Sequence, residues 1–342
     1  CGAHEAEEEE DGSTKFLGRK LQSRITAALN LLVEQEETEG WKKGGPEDVA
    51  KAARIMSFSN SGATAPMTAL PSNPTSRMSD VVAKFAVNYR QGTYAGLLPE
   101  GRCVCGCALS VDHVLSCKRM RGRFARHDAV VSALADELKQ ASKPAYTEMM
   151  VNPDGQERMD IVYYEGTRKN WMDVVIANPF CSESRTERAA SGKLAVAKDA
   201  ETQKKKPRMR TLAKDSRASI RPFAMETTGA LGPSAKSIIK YIAKARADKE
   251  MGQVEDVDSG ALKRVVDAHI KRITERIAIT VLKFNCVIRA SSRIKARDPH
   301  NPALRLYERR LNNGRPFHWE AAGARRQAER AEAVKRRSAS AP

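Results

Sequence analysis

No run of apolar residues in the chain is long enough to cross a bilayer, and no charged-then-apolar segment opens it. A membrane span and a secretory leader are therefore not expected. Aromatic residues are scarce at 5%, and mean hydropathy is −0.52. Much of the 342-residue length is accordingly expected to be solvent-exposed or disordered, beside a packed core that the 41% hydrophobic content supports. No internal repeat is visible. Acidic charge is in deficit: 59 Lys and Arg face 42 Asp and Glu, a net charge of +17. That excess points to a polyanionic partner, with nucleic acid ahead of an anionic membrane. Because the sequence opens on Cys1 rather than methionine, it is expected to be a fragment of a longer product.

The even, dispersed cysteine set of a disulfide framework is also missing. Of seven cysteines, four (Cys103, Cys105, Cys107 and Cys117) fall within fifteen residues that also hold His113. Clustered thiols beside an imidazole read as metal ligands in a reducing compartment. Zinc takes four such donors in a tetrahedron, and a closed set of four protein ligands makes a structural site. Cys103, Cys105, His113 and Cys117 supply the set; His113 and Cys117 stand four apart, on one helical face. Cys107 is a fifth candidate that could replace Cys103 or Cys105.

Apolar spacing predicts helices over residues 16–33, 47–56, 79–90, 128–138, 187–206, 234–247 and 260–288. Strands are predicted over 146–151, 159–164, 171–177 and 220–225, with Asp154-Gly155 as a turn signal between the first two. The Ser-, Pro- and Asn-rich stretch 57–76 reads as irregular, and the acidic run near the start reads as solvated. Helix, three strands, helix, strand, helix gives an α/β fold in which helices flank a mixed sheet.

Asp160 and Asp173 interrupt the otherwise apolar strands MDIVYY and WMDVVIA. On adjacent strands the two carboxylates could meet and share a magnesium ion, which takes one or two carboxylates plus water and phosphate. Lys204, Lys205 and Lys206 follow on the next helix. Lys204 or Lys205 could orient a water or stabilise a phosphorane, and Glu148 is a possible third acid. The plainer reading makes the aspartates strand-edge residues and the lysines a solvated patch. His127 reads as a helix-start cap or packing residue, with phosphate contact as the alternative; Glu226, Trp171, Tyr163 and Tyr164 read as structural, with stacking on a base as the alternative for the tyrosines.

The order of these pieces resembles a known family. The cysteine–histidine cluster is followed by RGRFARHD, RMDI, MDVVIANP, AETQKKK and FAMETTGALG. This is similar to the C-terminal region of non-LTR retrotransposon polyproteins with a CCHC zinc knuckle and a restriction-like PD-(D/E)XK endonuclease, including spliced-leader-gene elements of trypanosomatids. The likeness covers about residues 53–247. It implies a knuckle at 101–125 and an endonuclease at 126–247. Linker and helical segments would fill 1–56 and 57–100, with a helical extension over 248–320 and a disordered basic tail over 321–342.

It further implies that Asp160 and Asp173 hold magnesium and that Lys204, with Lys205 the near alternative, serves catalysis. The family nicks chromosomal DNA in the nucleus so that the freed 3′ hydroxyl primes reverse transcription. That makes target DNA, element RNA and the polymerase domain of the same polyprotein the implied partners. Met159 stands where the family usually has proline, position 175 is Val, and Pro207 follows the lysines where an aromatic is common. Two rival classes remain: a zinc-containing nucleic-acid-binding module with an inactive nuclease, and a basic scaffold protein.

Overall fold

Alternating apolar residues in the middle of the chain build one sheet. The computed structural model describes residues 40–41, 43–69, 77–94, 97–120, 122–150, 158–212, 218–252 and 258–297. The expected helix over 16–33, the Asp154-Gly155 turn and the basic tail lie outside these residues. Strands β1 (Ala145–Met150), β2 (Arg158–Glu165), β3 (Arg168–Ala177) and β4 (Ala218–Glu226) lie side by side in that order. β1–β2 and β2–β3 are antiparallel; β3–β4 is parallel. The β2–β3 hairpin closes with Glu165 opposite Arg168, and Gly166 takes the positive φ of 58° that so tight a turn demands.

Alternation sorts the side chains by face. Ile161 and Tyr163 of β2, Met172 and Val174 of β3, and Phe223 and Met225 of β4 enter one core cluster. Helices α5 (Gly122–Gln140), α8 (Pro233–Met251) and α9 (Ser259–Arg297) cover it with Leu134, Leu138, Ile238, Ile242, Ile273 and Ile277. The opposite face carries Val162 and Trp171. There the parallel β3–β4 crossover runs through α6 (Glu183–Ala190) and α7 (Ala195–Leu212), as parallel pairing requires. Helices α1 (Pro46–Phe58), α2 (Ser61–Thr68) and α3 (Asp80–Gln91) close this side around Phe58, Phe85 and Tyr89. A single short turn, α4 (Val111–Val114), belongs to the cysteine-rich segment. The chain is thus mixed α/β, a four-strand mixed sheet flanked by helices.

Three expectations need correction. The stretch read as irregular contains α2, whose Ala63 and Ala65 are buried although Pro66 lies inside the helix. Tertiary packing outweighs the poor helix propensity there. The helix expected over 187–206 is two helices, because the chain breaks between Ala190 and Ala195, with Leu194 at φ 64°, and then runs past Pro207 to Leu212. His127 does not start a helix; α5 begins five residues earlier.

Apolar contacts also run across the expected domain boundaries. The first core joins Phe58, Val111 and Val114 to Ala200, Ala224 and Leu282, so the segments before, within and after the sheet share one interior. In α9 the stripe Ile273, Ile277, Val281 and Leu282 is almost wholly buried.

Glu226 ends β4 and is only 1% exposed. Burial raises its carboxyl pKa from 4.5 to about 7, partly offset by hydrogen bonds from Ser57, the Ala197 backbone and Thr228. The unfolded chain gives up this proton above about pH 4.5, whereas the folded chain keeps it to about pH 7. Stability therefore falls as pH rises through that window and stays at the lower value above it. Glu226→Gln is expected to raise stability at pH 8 by an amount on the order of 2 kcal/mol, and to change it little at pH 4. Urea unfolding at the two pH values measures the difference.

Candidate functional site

The cysteine-rich segment folds as a tight loop followed by one helical turn. Arg102 bridges Ala108, the Cys103 N–H donates to the Cys107 carbonyl at 2.8 Å, and Gly106 N–H returns to the Cys103 carbonyl at 2.8 Å. Gly106 supplies the φ of 91° that this reversal needs. Ser110 caps α4 by accepting from His113 N–H. Val111 and Val114, both essentially inaccessible, plug the turn into the core.

His113 and Cys117 are thereby aimed at Cys103 and Cys105, and the four ligand atoms lie within 4.8 Å of one another. The Sγ atoms of Cys103 and Cys117 are 3.7 Å apart, and Cys105 Sγ is 3.1 Å from His113 Nε2. Metal–sulfur bonds of roughly 2.3 Å in a tetrahedron put two sulfurs about 3.8 Å apart, so this cluster fits a metal such as zinc. A backbone hydrogen bond at Cys107 lowers the Cys105 thiol to about 6, which favours the thiolate that ligates. Cys107 itself is exposed and stands outside the four.

A ring of hydrogen bonds ties this module to the sheet. Asp112 accepts from Arg54 (2.9 Å) and from Tyr94 (3.0 Å), and its carbonyl accepts from Asn178 Nδ2 at 2.6 Å. Asn178 directly follows β3 and takes the Thr227 hydroxyl at 3.3 Å, just past β4. The Thr227 carbonyl accepts from Asn285 Nδ2 (2.7 Å), and Asn285 Oδ1 accepts from Arg126 (2.7 Å). Arg126 then donates to the Leu115 carbonyl at 3.0 Å, back at the end of α4.

The acidic pair sits where β2 and β3 stop pairing, between α5 on one side and α7 on the other. Val162 pairs with Trp171 across β2–β3, and the paired ladder ends at Ile161 and Met172. Carrying the register one step further sets Asp160 opposite Asp173; Asp173 shares the face of Trp171, whereas Asp160 reaches toward α5. Here a side chain takes over from the ladder: Asp160 Oδ2 accepts from Val174 N–H at 2.6 Å and from His127 Nε2 at 3.2 Å. Asp173 is close enough to Asp160 to affect its ionisation.

Asp173, with its side chain 4% exposed, receives Lys204 Nζ on both oxygens, at 3.1 and 3.3 Å. Lys204 follows Val196 and Ala200 at intervals of four along the buried stripe of α7, and therefore meets the sheet. Lys205 and Lys206 lie on the same helix, their side chains outside the described residues. Glu148 lies across β1–β2 from Asp160, between the pairs Thr147–Ile161 and Met149–Met159. Its backbone is left-handed at φ 54°, and its carboxylate is 3.5 Å from Arg158.

His127 is the neighbour of Asp160 that the sequence did not assign. Burial works against its charge, but hydrogen bonds and attraction from Asp128 and Asp160 outweigh that and lift its pKa from 6.5 to about 10. Burial likewise pushes the Asp160 carboxyl up, and His127 and the Val174 N–H more than reverse it, leaving the group below its usual range. The two acids are therefore held beside two cations, His127 and Lys204. The only signal for His127 was the Arg-His-Asp triplet, 33 residues before its partner.

Compared with models of protein families and with characterised proteins, the chain matches none. The metal cluster gives a direct expectation. Purified protein should carry about one zinc per chain. Cys117→Ser or His113→Ala should bring this near zero, and Cys107→Ser should leave it unchanged, as read by elemental mass spectrometry.

Proposed function

We propose that the chain is a metal-dependent DNA endonuclease with a structural zinc knuckle, on a restriction-endonuclease-like fold, from the polyprotein of a non-LTR retrotransposon. The observation that carries the reading is the convergence of Asp160, Asp173 and Lys204 from two strands and a helix. The helix–three-strand–helix–strand order, with its antiparallel, antiparallel and parallel pairings, supports the fold assignment. The net charge of +17 and the ordered series of sequence motifs support nucleic acid as substrate and a retroelement as source. Target DNA, element RNA and the polymerase domain are the partners this reading names, with the nucleus as the place of action.

Two carboxylates on apposed strands are a sufficient protein share for magnesium, which fills its remaining positions with water and phosphate oxygen. Asp160 and Asp173 would hold it. When bound, such an ion neutralises phosphate charge and makes a coordinated water more acidic. Lys204 is placed to hydrogen-bond the attacking water or a non-bridging phosphate oxygen, where negative charge grows. In the hydrolysis, the water oxygen bonds to phosphorus and the phosphorus–O3′ bond breaks. The water gives up a proton and the departing 3′ oxygen gains one. The Val174 N–H and His127 keep Asp160 ionised and fixed in direction. Glu148, paired with Arg158, is given no part.

Supercoiled plasmid should be nicked in the presence of magnesium. Asp160→Asn and Asp173→Asn are expected to slow nicking by about 100-fold or more, and Lys204→Ala by about 100-fold. Nicking by Asp173→Asn at the parental rate would sink the assignment.

A further inference from the structure

Between the metal module and the acidic pair lies a cleft of about 650 Å³. Lys118, Arg123, Arg126, Arg185 and Lys204 line it, and among the described residues no acidic one does. Leu115, Val175 and Ile176 add apolar lining beside these cations.

Arg126 is the unusual member. It is 2% exposed, its two terminal nitrogens bond only the neutral acceptors Asn285 Oδ1 and the Leu115 carbonyl, and its Nε has no hydrogen-bond partner. A buried guanidinium without a carboxylate is costly unless an anion completes it. Beside the cleft, Phe124 is 52% exposed, with the Arg123 guanidinium 5.6 Å from its ring. An exposed aromatic next to a basic groove is the surface on which an unpaired base stacks.

Size and lining select between two forms of nucleic acid. Clefts of roughly 300–1,000 Å³ engulf a small ligand, about the bulk of one or two nucleotides. A duplex would lie across the mouth and present only sugar and phosphate, leaving the apolar lining and Phe124 unused. An unpaired strand offers a phosphate to the cations and a base to the apolar surfaces.

We propose that this cleft binds an unpaired stretch of nucleic acid, with its phosphates on Arg126, Arg123, Lys118 and Arg185 and a base on Phe124. The strand then leads to Lys204 and the acidic pair; only this last step rests on the nuclease reading. The protein should thus prefer DNA with an unpaired segment beside the cut.

The test is fluorescence anisotropy with the full chain in its zinc-loaded form, without added magnesium, at about 0.15 M salt. The probes are a labelled single strand of about 16 nucleotides and the matching blunt duplex. The single strand is expected to bind about tenfold tighter than the duplex. Phe124→Ala and Arg185→Glu, both at exposed positions, should each weaken single-strand binding by about tenfold and alter duplex binding by less than about twofold. Equal affinity for the two probes, or single-strand binding untouched by both substitutions, overturns the proposal. A protein that binds as described but never nicks plasmid defeats the nuclease reading alone. One that nicks but fails the binding comparison defeats the cleft alone.

Discussion

The closed ring of hydrogen bonds through Asp112, Asn178, Thr227, Asn285, Arg126 and Leu115 is the constraint on which the arrangement depends. It starts and finishes on the short turn that carries His113, and it touches the ends of β3 and β4, the beginning of α5 and the interior of α9. Asn178, Thr227 and Asn285 are each no more than 2% exposed. Polar groups so far from water must find partners within the protein, so each member fixes the orientation of the next. The metal module is consequently part of the same interior as the sheet. Asn178 lies five residues beyond Asp173, which links the position of the cysteine cluster to that of the acidic pair.

The second constraint is local. At the point where β2 and β3 cease to pair, Asp160 uses its carboxylate to satisfy the Val174 N–H, a group that a regular ladder would have left to a backbone carbonyl. The strands thus part without stranding a buried donor. An acid in that position is charged because it has a structural task, and it is ionised and aimed by the fold itself.

Much of this was legible in the sequence, for identifiable reasons. The strands showed themselves by apolar alternation, and Asp160 and Asp173 stood out because carboxylates are rare in such runs. Lys204 and Lys205 both stayed open in the sequence; the packing of Val196 and Ala200 against the sheet is what turns Lys204 toward Asp173. The cysteine cluster was legible from ligand chemistry alone, although choosing among Cys103, Cys105 and Cys107 needed the fold. What stayed hidden was whatever depends on contacts distant in sequence. The partner of His127 lies on a strand 33 residues away. Helix α2 exists because the core around Ala63 accepts it, against its own composition. The role of α9 as a shared wall, not an appendage, follows from where Ile273 to Leu282 pack.

Two glycines from far-apart segments touch in that hidden part. A side-chain carbon on Gly62 would come within 2.4 Å of the Gly229 carbonyl oxygen, and one on Gly229 within 3.0 Å of the Gly62 carbonyl oxygen. Gly229 also holds a φ of 95°, which other residues adopt only under strain. Each position therefore sets the limit for the other. A lineage descending from this chain can exchange neither residue without driving two backbones apart, so both positions would stay glycine for as long as the two segments pack this closely.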